Sequence, residues 1–108
     1  MSDRPLDVLE RDVKAACVAR LRALGCLVAS VGNRHRSQLP KGWPDTTVIP
    51  PRGGQVFFIE FKRARGGKVS AEQAALHGEI LRRGKMVLVV RGVADLDDYL
   101  RAALELIP

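Results

Sequence analysis

Two strand-like segments joined by a glycine-bearing turn constrain this chain more than any other feature. Asp45 to Pro51 and Gln55 to Arg63 read as strands, and Arg52-Gly53-Gly54 turns one into the other. Side chains alternate along a strand, so Val56, Phe58, Glu60 and Lys62 share one face while Phe57, Ile59 and Phe61 share the other. Two charges on a face shared with Val56 and Phe58 are costly unless they pair or bind a metal. Asp45 opens the first strand and Glu60-Phe61-Lys62 lies on the second. The hairpin can therefore gather two carboxylates and one ammonium about one point, a setting for a hard divalent cation and an activated water. A simple ion pair across the pleat is the plainer reading of Glu60 with Lys62.

The remaining elements follow from periodicity and breakers. Leu6 to Leu24 reads as a helix stopped by Gly25, and Cys26 to Val31 as a strand. Gly32 to Trp43 is a polar, basic loop. Beyond the hairpin, Arg65-Gly66-Gly67-Lys68 makes a basic turn. Ser70 to Arg83 is a second helix stopped by Gly84. Met86 to Val90 is wholly apolar and is expected at the centre of a sheet. Val93 to Leu106 is a third helix, with Asp95, Asp97 and Asp98 in its first turn where the helix dipole favours them. The order α-β-β-β-α-β-α predicts an α/β fold, a mixed sheet flanked by helices.

The 108 residues fit one domain, with 46% hydrophobic residues. No apolar run approaches the roughly 18 residues of a membrane helix, and no signal peptide is visible. Cys17 and Cys26 read as buried thiols of a reducing cytosol, since their spacing matches no zinc site. The net charge of +6 favours a polyanionic partner, nucleic acid first among them.

Two further polar residues face inward on helical projection. Leu9, Val13, Cys17, Leu21 and Leu24 form one stripe, and Glu10 falls inside it, with Arg20 close by. Glu10 is either a first-turn acid reaching water or a carboxylate aimed at the hairpin site. Gln73 fits a capping box with Ser70, yet it shares a face with Leu76, His77 and Ile80 and so points toward the sheet. An active-site role and a capping role are compatible.

Together, Gly42-Trp43-Pro44-Asp45, Glu60-Phe61-Lys62 and Ser70-Ala71-Glu72-Gln73, with Glu10 upstream, resemble the PD-(D/E)xK nuclease superfamily. Within it the likeness is to the VRR-NUC group, the virus-type replication-repair nucleases, over about Leu6 to Arg101. The resemblance implies a restriction-endonuclease-like core and a single VRR-NUC-like nuclease domain over residues 1–108. It implies cleavage of phosphodiesters with Mg²⁺ or Mn²⁺, in the manner of small, often phage-borne members that act as homodimers on branched DNA. By that likeness Glu10, Asp45, Glu60 and the Phe61 carbonyl are metal ligands. Lys62 positions or activates the attacking water, and Gln73 supports the site. Three acids so gathered would repel one another in the metal-free protein.

The basic loops adjoin this site. Arg34, Arg36 and Lys41 precede the Asp45 strand, and Arg63, Arg65 and Lys68 follow Lys62, so these six are the expected DNA contacts. Trp43 either stacks on an unpaired base or covers the edge of the core. His35 and His77 have no catalytic partner in the sequence, and Gly66-Gly67 is no phosphate cradle. The function these features predict is a metal-dependent, structure-selective DNA endonuclease of the cytoplasm of a bacterium or a phage-infected host, cutting four-way junctions or flaps. A non-catalytic nucleic-acid-binding module of the same fold and a restriction-type duplex nuclease are the alternatives. Clustered carboxylates argue against the first, and the lack of a separate recognition segment against the second.

Overall fold

The computed structural model describes residues 9–31, 38–102, 104 and 107–108. Helix α1 (Glu10–Ala23) leads into β1 (Leu27–Ser30), β2 (Thr46–Ile49) and β3 (Phe57–Phe61). Helix α2 (Ala71–Arg82), β4 (Val87–Val90) and α3 (Val93–Ala102) complete the expected order. The N-terminal part of the first predicted helix, and Ala103, Glu105 and Leu106 of the last, lie outside the described residues. Gly25 and Gly84 take positive φ directly after the first two helices, as helix-stopping glycines do.

The four strands lie in chain order, β1-β2-β3-β4. β1 pairs antiparallel with β2, β2 antiparallel with β3, and β3 parallel with β4, so the sheet is mixed. Both hairpin strands are shorter than the sequence predicts. Pro50 and Pro51 have no N–H to give to a ladder, and Arg52 and Gly53 already turn at positive φ. β4 is an edge strand of the described sheet, not a central one. Its apolar run has a different cause: α2 packs on it from one side and α3 from the other, so both faces are covered.

The main core fills the space between the sheet and the α1–α3 layer. Val13, Cys17 and Leu21 of α1 and Leu96 and Leu100 of α3 meet Val28, Val48, Phe57, Ile59, Phe61, Leu88 and Val90. Leu24 is partly buried at the end of the predicted stripe, while Leu9 is exposed. Burial, together with the nearby Asp95 and Asp97, raises the Cys17 thiol to about 11, which leaves it an inert thiol. Burial also raises Cys26. Arg20 reaches across to α3, where its Nε donates to Asp97 Oδ1 at 3.1 Å. α2 lies on the opposite face. Its N-terminus is closed by the predicted capping box: Gln73 N–H donates to Ser70 Oγ at 3.1 Å, and Ser70 N–H to Gln73 Oε1 at 2.9 Å.

Candidate active site

Asp45 stands at the mouth of β2. The observed register pairs Thr46 with Ile59, and one step further sets Asp45 opposite Glu60. Pro44 before it is fully buried and fixes the entry of the strand. The Asp45 carboxylate is 8% exposed for the whole residue and held on three sides. The Thr46 hydroxyl donates to Oδ1 at 2.5 Å, and the Phe61 N–H donates to Oδ2 at 3.3 Å. Lys14 Nζ of α1 lies 3.9 Å from Oδ1. A side chain thus replaces a main-chain acceptor at the end of the β2–β3 ladder, which ties the carboxylate to the strand that carries Glu60.

Glu60 is 4% exposed, and Lys62 lies beside it on the same face. Lys62 Nζ is 3.7 Å from Glu60 Oε2, with side chains 12% and 5% exposed respectively. The pair the alternation predicts is therefore formed, and it is buried, not a solvated surface pair. A buried ion pair contributes little net stability, because desolvation offsets most of the attraction, so its presence points to a use other than stability. Each carboxylate of the site faces an ammonium: Asp45 faces Lys14 and Glu60 faces Lys62. The repulsion expected of the metal-free site is thereby offset.

The neighbouring loop is locked to α2. Gly42 has φ +90°, and a Cβ placed there would lie 2.7 Å from the Glu72 carbonyl oxygen. The next residue, Trp43, packs its ring edge-on against Phe58, with centroids 5.8 Å apart and planes at 74°. This is the core-covering role of the two expected for Trp43. Gly67 fits closely on the other flank, where a Cβ would lie 3.2 Å from the Lys62 Cβ.

Other expected site residues are placed less centrally. Glu10 is the first residue of α1 and is exposed. Among the described residues, no three His, Cys, Asp or Glu side chains converge closely enough to hold a metal ion. The side-chain donors at the hairpin are thus Asp45 and Glu60. Gln73 spends its carboxamide oxygen on the capping box. Lys41 Nζ meets Glu72 Oε1 at 3.3 Å on the surface. A backbone hydrogen bond, and after it the Lys41 contact, holds the Glu72 carboxyl below its ordinary range. Arg63, Arg65 and Lys68 are exposed around the turn after β3, and the Arg63 carbonyl accepts from Arg91 Nη1 at 3.3 Å. Arg34, His35 and Arg36 lie outside the described residues.

Lys14 is the residue that the sequence reading passed over, and His77, expected to have no catalytic partner, has a setting of its own. Lys14 lies four positions after Glu10, so the same helical projection that placed Glu10 near the stripe could have found it. His77 of α2 is half-buried, and its Nε2 has no hydrogen-bond partner among the described residues. Burial, and then the Lys62 charge, hold its pKa below the ordinary 6.5. The unfolded chain therefore takes up a proton that the folded one rejects. Stability should fall as pH drops below about 6.5 and level off once the folded imidazole is also protonated. Thermal melts of the wild type and His77→Gln between about pH 5 and 8 check this. The variant should show the shallower pH dependence, and matching profiles would remove His77 as the source.

A mixed sheet in this order, with Pro-Asp leading into β2 and Glu-x-Lys closing β3, fits a restriction-endonuclease-like fold of the PD-(D/E)xK nuclease type. Among solved structures, the chain is similar to a VRR-NUC domain, with 30% sequence identity and a TM-score of 0.74. The match covers 89% of this chain and 98% of that one. The chain belongs to the VRR-NUC family. No family model matches the sequence, and no curated protein matches it. Among the described residues, no helix is long and apolar enough to cross a membrane.

Proposed function

We propose that this chain is a metal-dependent endonuclease that hydrolyses phosphodiester bonds in branched DNA, such as four-way junctions or flaps. The observation that carries this reading is the buried Glu60–Lys62 pair on the strand tied to Asp45. Asp45 and Glu60 offer oxygen donors alone. That donor set fits Mg²⁺ or Mn²⁺, since Mg²⁺ takes one or two carboxylates and keeps waters and substrate phosphates as its other ligands. The Phe61 carbonyl is a further oxygen donor in this assignment. Glu10, one helical turn from the Lys14 that touches Asp45, is its third carboxylate. A cation held there supplies charge neutralisation and a water of lowered pKa.

The chain's own groups have separate tasks. Lys62 carries its ammonium on the face shared with Glu60, where it can orient the attacking water and offset charge developing on the phosphate. Thr46 and the Phe61 N–H fix the rotamer of Asp45, so the carboxylate needs no reorganisation when substrate arrives. Gln73 supports the site through the first turn of α2, against which Gly42 is packed. Arg34, Arg36, Lys41, Arg63, Arg65 and Lys68 hold the DNA backbone on either side. Paired cuts in a branched substrate need two sites, so the working form is a two-fold homodimer of single-domain chains, acting in the cytoplasm. A purely DNA-binding module has no use for buried carboxylates beside the phosphate path, which disfavours that reading.

Cleavage of a four-way junction, a flap, a splayed arm, plain duplex and single strand, each with Mg²⁺, Mn²⁺ or EDTA, tests the proposal. Junction or flap cutting that needs either ion is expected. Equal cutting of plain duplex would end the structure-selective part. No cutting of any substrate with either ion would end the nuclease reading.

A further inference from the structure

A groove of about 440 Å³ runs along the outer side of α1 beside the end of β1. Ala15, Val18 and Ala19 form its floor, while Arg11, Lys14 and Arg22 stand along it. The spacing explains the shape. Positions 11, 15, 18 and 22 recur on one helical face, and two alanines keep that face low between the cations. No acid lines the groove among the described residues. The Arg22 guanidinium has no ion-pair or hydrogen-bond partner among them, and Arg11 has one loose contact, 3.9 Å to its chain neighbour Asp12. The groove is also connected to the site, because Lys14 lines it and reaches Asp45 Oδ1 at 3.9 Å.

From this we infer that the α1 groove is a nucleic-acid track, holding the backbone phosphates of the substrate as it leaves the Asp45–Glu60 site. The inference rests on the nuclease reading above and adds a contact surface to it, apart from the loops flanking the hairpin. Three points favour a phosphate backbone as the occupant. Cations without acids suit a polyanion. The low alanine floor lets a sugar–phosphate chain lie close to the helix, and Ser30 brings a hydroxyl to the rim. The length fits as well. Arg11 and Arg22 are roughly 16 Å apart along the axis at about 1.5 Å per residue. That is the rise of about five nucleotides of B-form strand at about 3.4 Å each.

The test is the salt dependence of binding to a labelled four-way junction with duplex arms in EDTA, where no cleavage intervenes. The variants are Arg11→Gln with Arg22→Gln and, as a control of equal charge change, Arg82→Gln with Arg83→Gln at the far end of α2. Two lost phosphate contacts lower the slope of log affinity against log salt by about 1.8, at about 0.9 per contact. Between about 50 and 200 mM salt, the affinity drop of the groove variant should then be roughly twelvefold smaller than that of the wild type. The control and a charge-keeping Arg11→Lys with Arg22→Lys variant should keep the wild-type slope. A groove variant with the wild-type slope, or a control that loses as much, overturns the inference and leaves the nuclease reading standing. Failure of the wild type to bind DNA at all overturns both.

Discussion

Lys62→Ala, Glu60→Gln and Asp45→Asn are each expected to lower DNA cleavage by about 10²–10³-fold or more, the scale for losing one preorganised electrostatic group. DNA binding in EDTA should stay close to that of the wild type. The Glu60–Lys62 pair is buried, so stability has to be followed alongside. Removing one partner of a fully buried pair costs about 3–5 kcal/mol, because the other charge is left uncompensated. The cost here should be smaller, since Lys62 keeps 12% of its side-chain surface. The double variant Glu60→Gln with Lys62→Met separates the two effects. It leaves no orphaned charge, so it should melt above at least one of the single variants, yet cleavage should stay absent. If the double variant recovers activity along with stability, the pair is structural and the catalytic assignment fails.

Gly42→Ala should be the most damaging change outside Asp45, Glu60 and Lys62. Its φ of +90° already disfavours any side chain, at about 1–3 kcal/mol. The added methyl would meet backbone, not a movable side chain: the Glu72 oxygen at 2.7 Å, the Glu72 carbonyl carbon at 2.8 Å and Gln73 N at 2.9 Å. Either the loop or the first turn of α2 must shift, and Asp45 lies three residues downstream. Misplacing a catalytic group by about 1 Å can cost on the order of 10²-fold in rate. Gly84→Ala is the matched control, because Gly84 has φ +86° and nothing within 4 Å of an added Cβ. Both variants should melt lower, by roughly 4–8 °C for each kcal/mol lost in a domain of this size. Cleavage should fall in Gly42→Ala alone. Equal melting temperatures and equal activities in the two variants would show that the loop tolerates the shift.

The parts of this site that the sequence discloses are those encoded within one or two turns of chain. Alternation along β3 puts Glu60 and Lys62 together, and Ser70 with Gln73 spells out a cap, because each pair is local. Gly42 is conspicuous before Pro-Asp, but its reason lies some thirty positions on, in the α2 backbone. Lys14 is harder still. A lysine on a basic helix looks like a solvated surface charge until the α1 layer is docked on the sheet and brings it to Asp45. The apolar run of β4 misleads for a related reason. Apolar composition reports coverage of the two faces of a strand and is silent about its two edges, and α2 and α3 supply that coverage to an edge strand. Glu10 shows the limit of projection alone, since a position at the first turn can lie over the apolar stripe and still be exposed.

The hydrogen bond from the Phe61 N–H to Asp45 Oδ2 makes one main-chain proton a reporter on the Asp45 carboxylate. Most amides of a sheet exchange with solvent deuterium at rates set by the opening of the backbone ladder. The Phe61 amide is different, because its acceptor is a side chain that a ligand can also engage. Whatever draws Asp45 toward substrate loosens this bond, and whatever locks Asp45 in place protects it. Readiness of the site is thereby written into the exchange lifetime of a single buried amide, which can be followed with no turnover taking place.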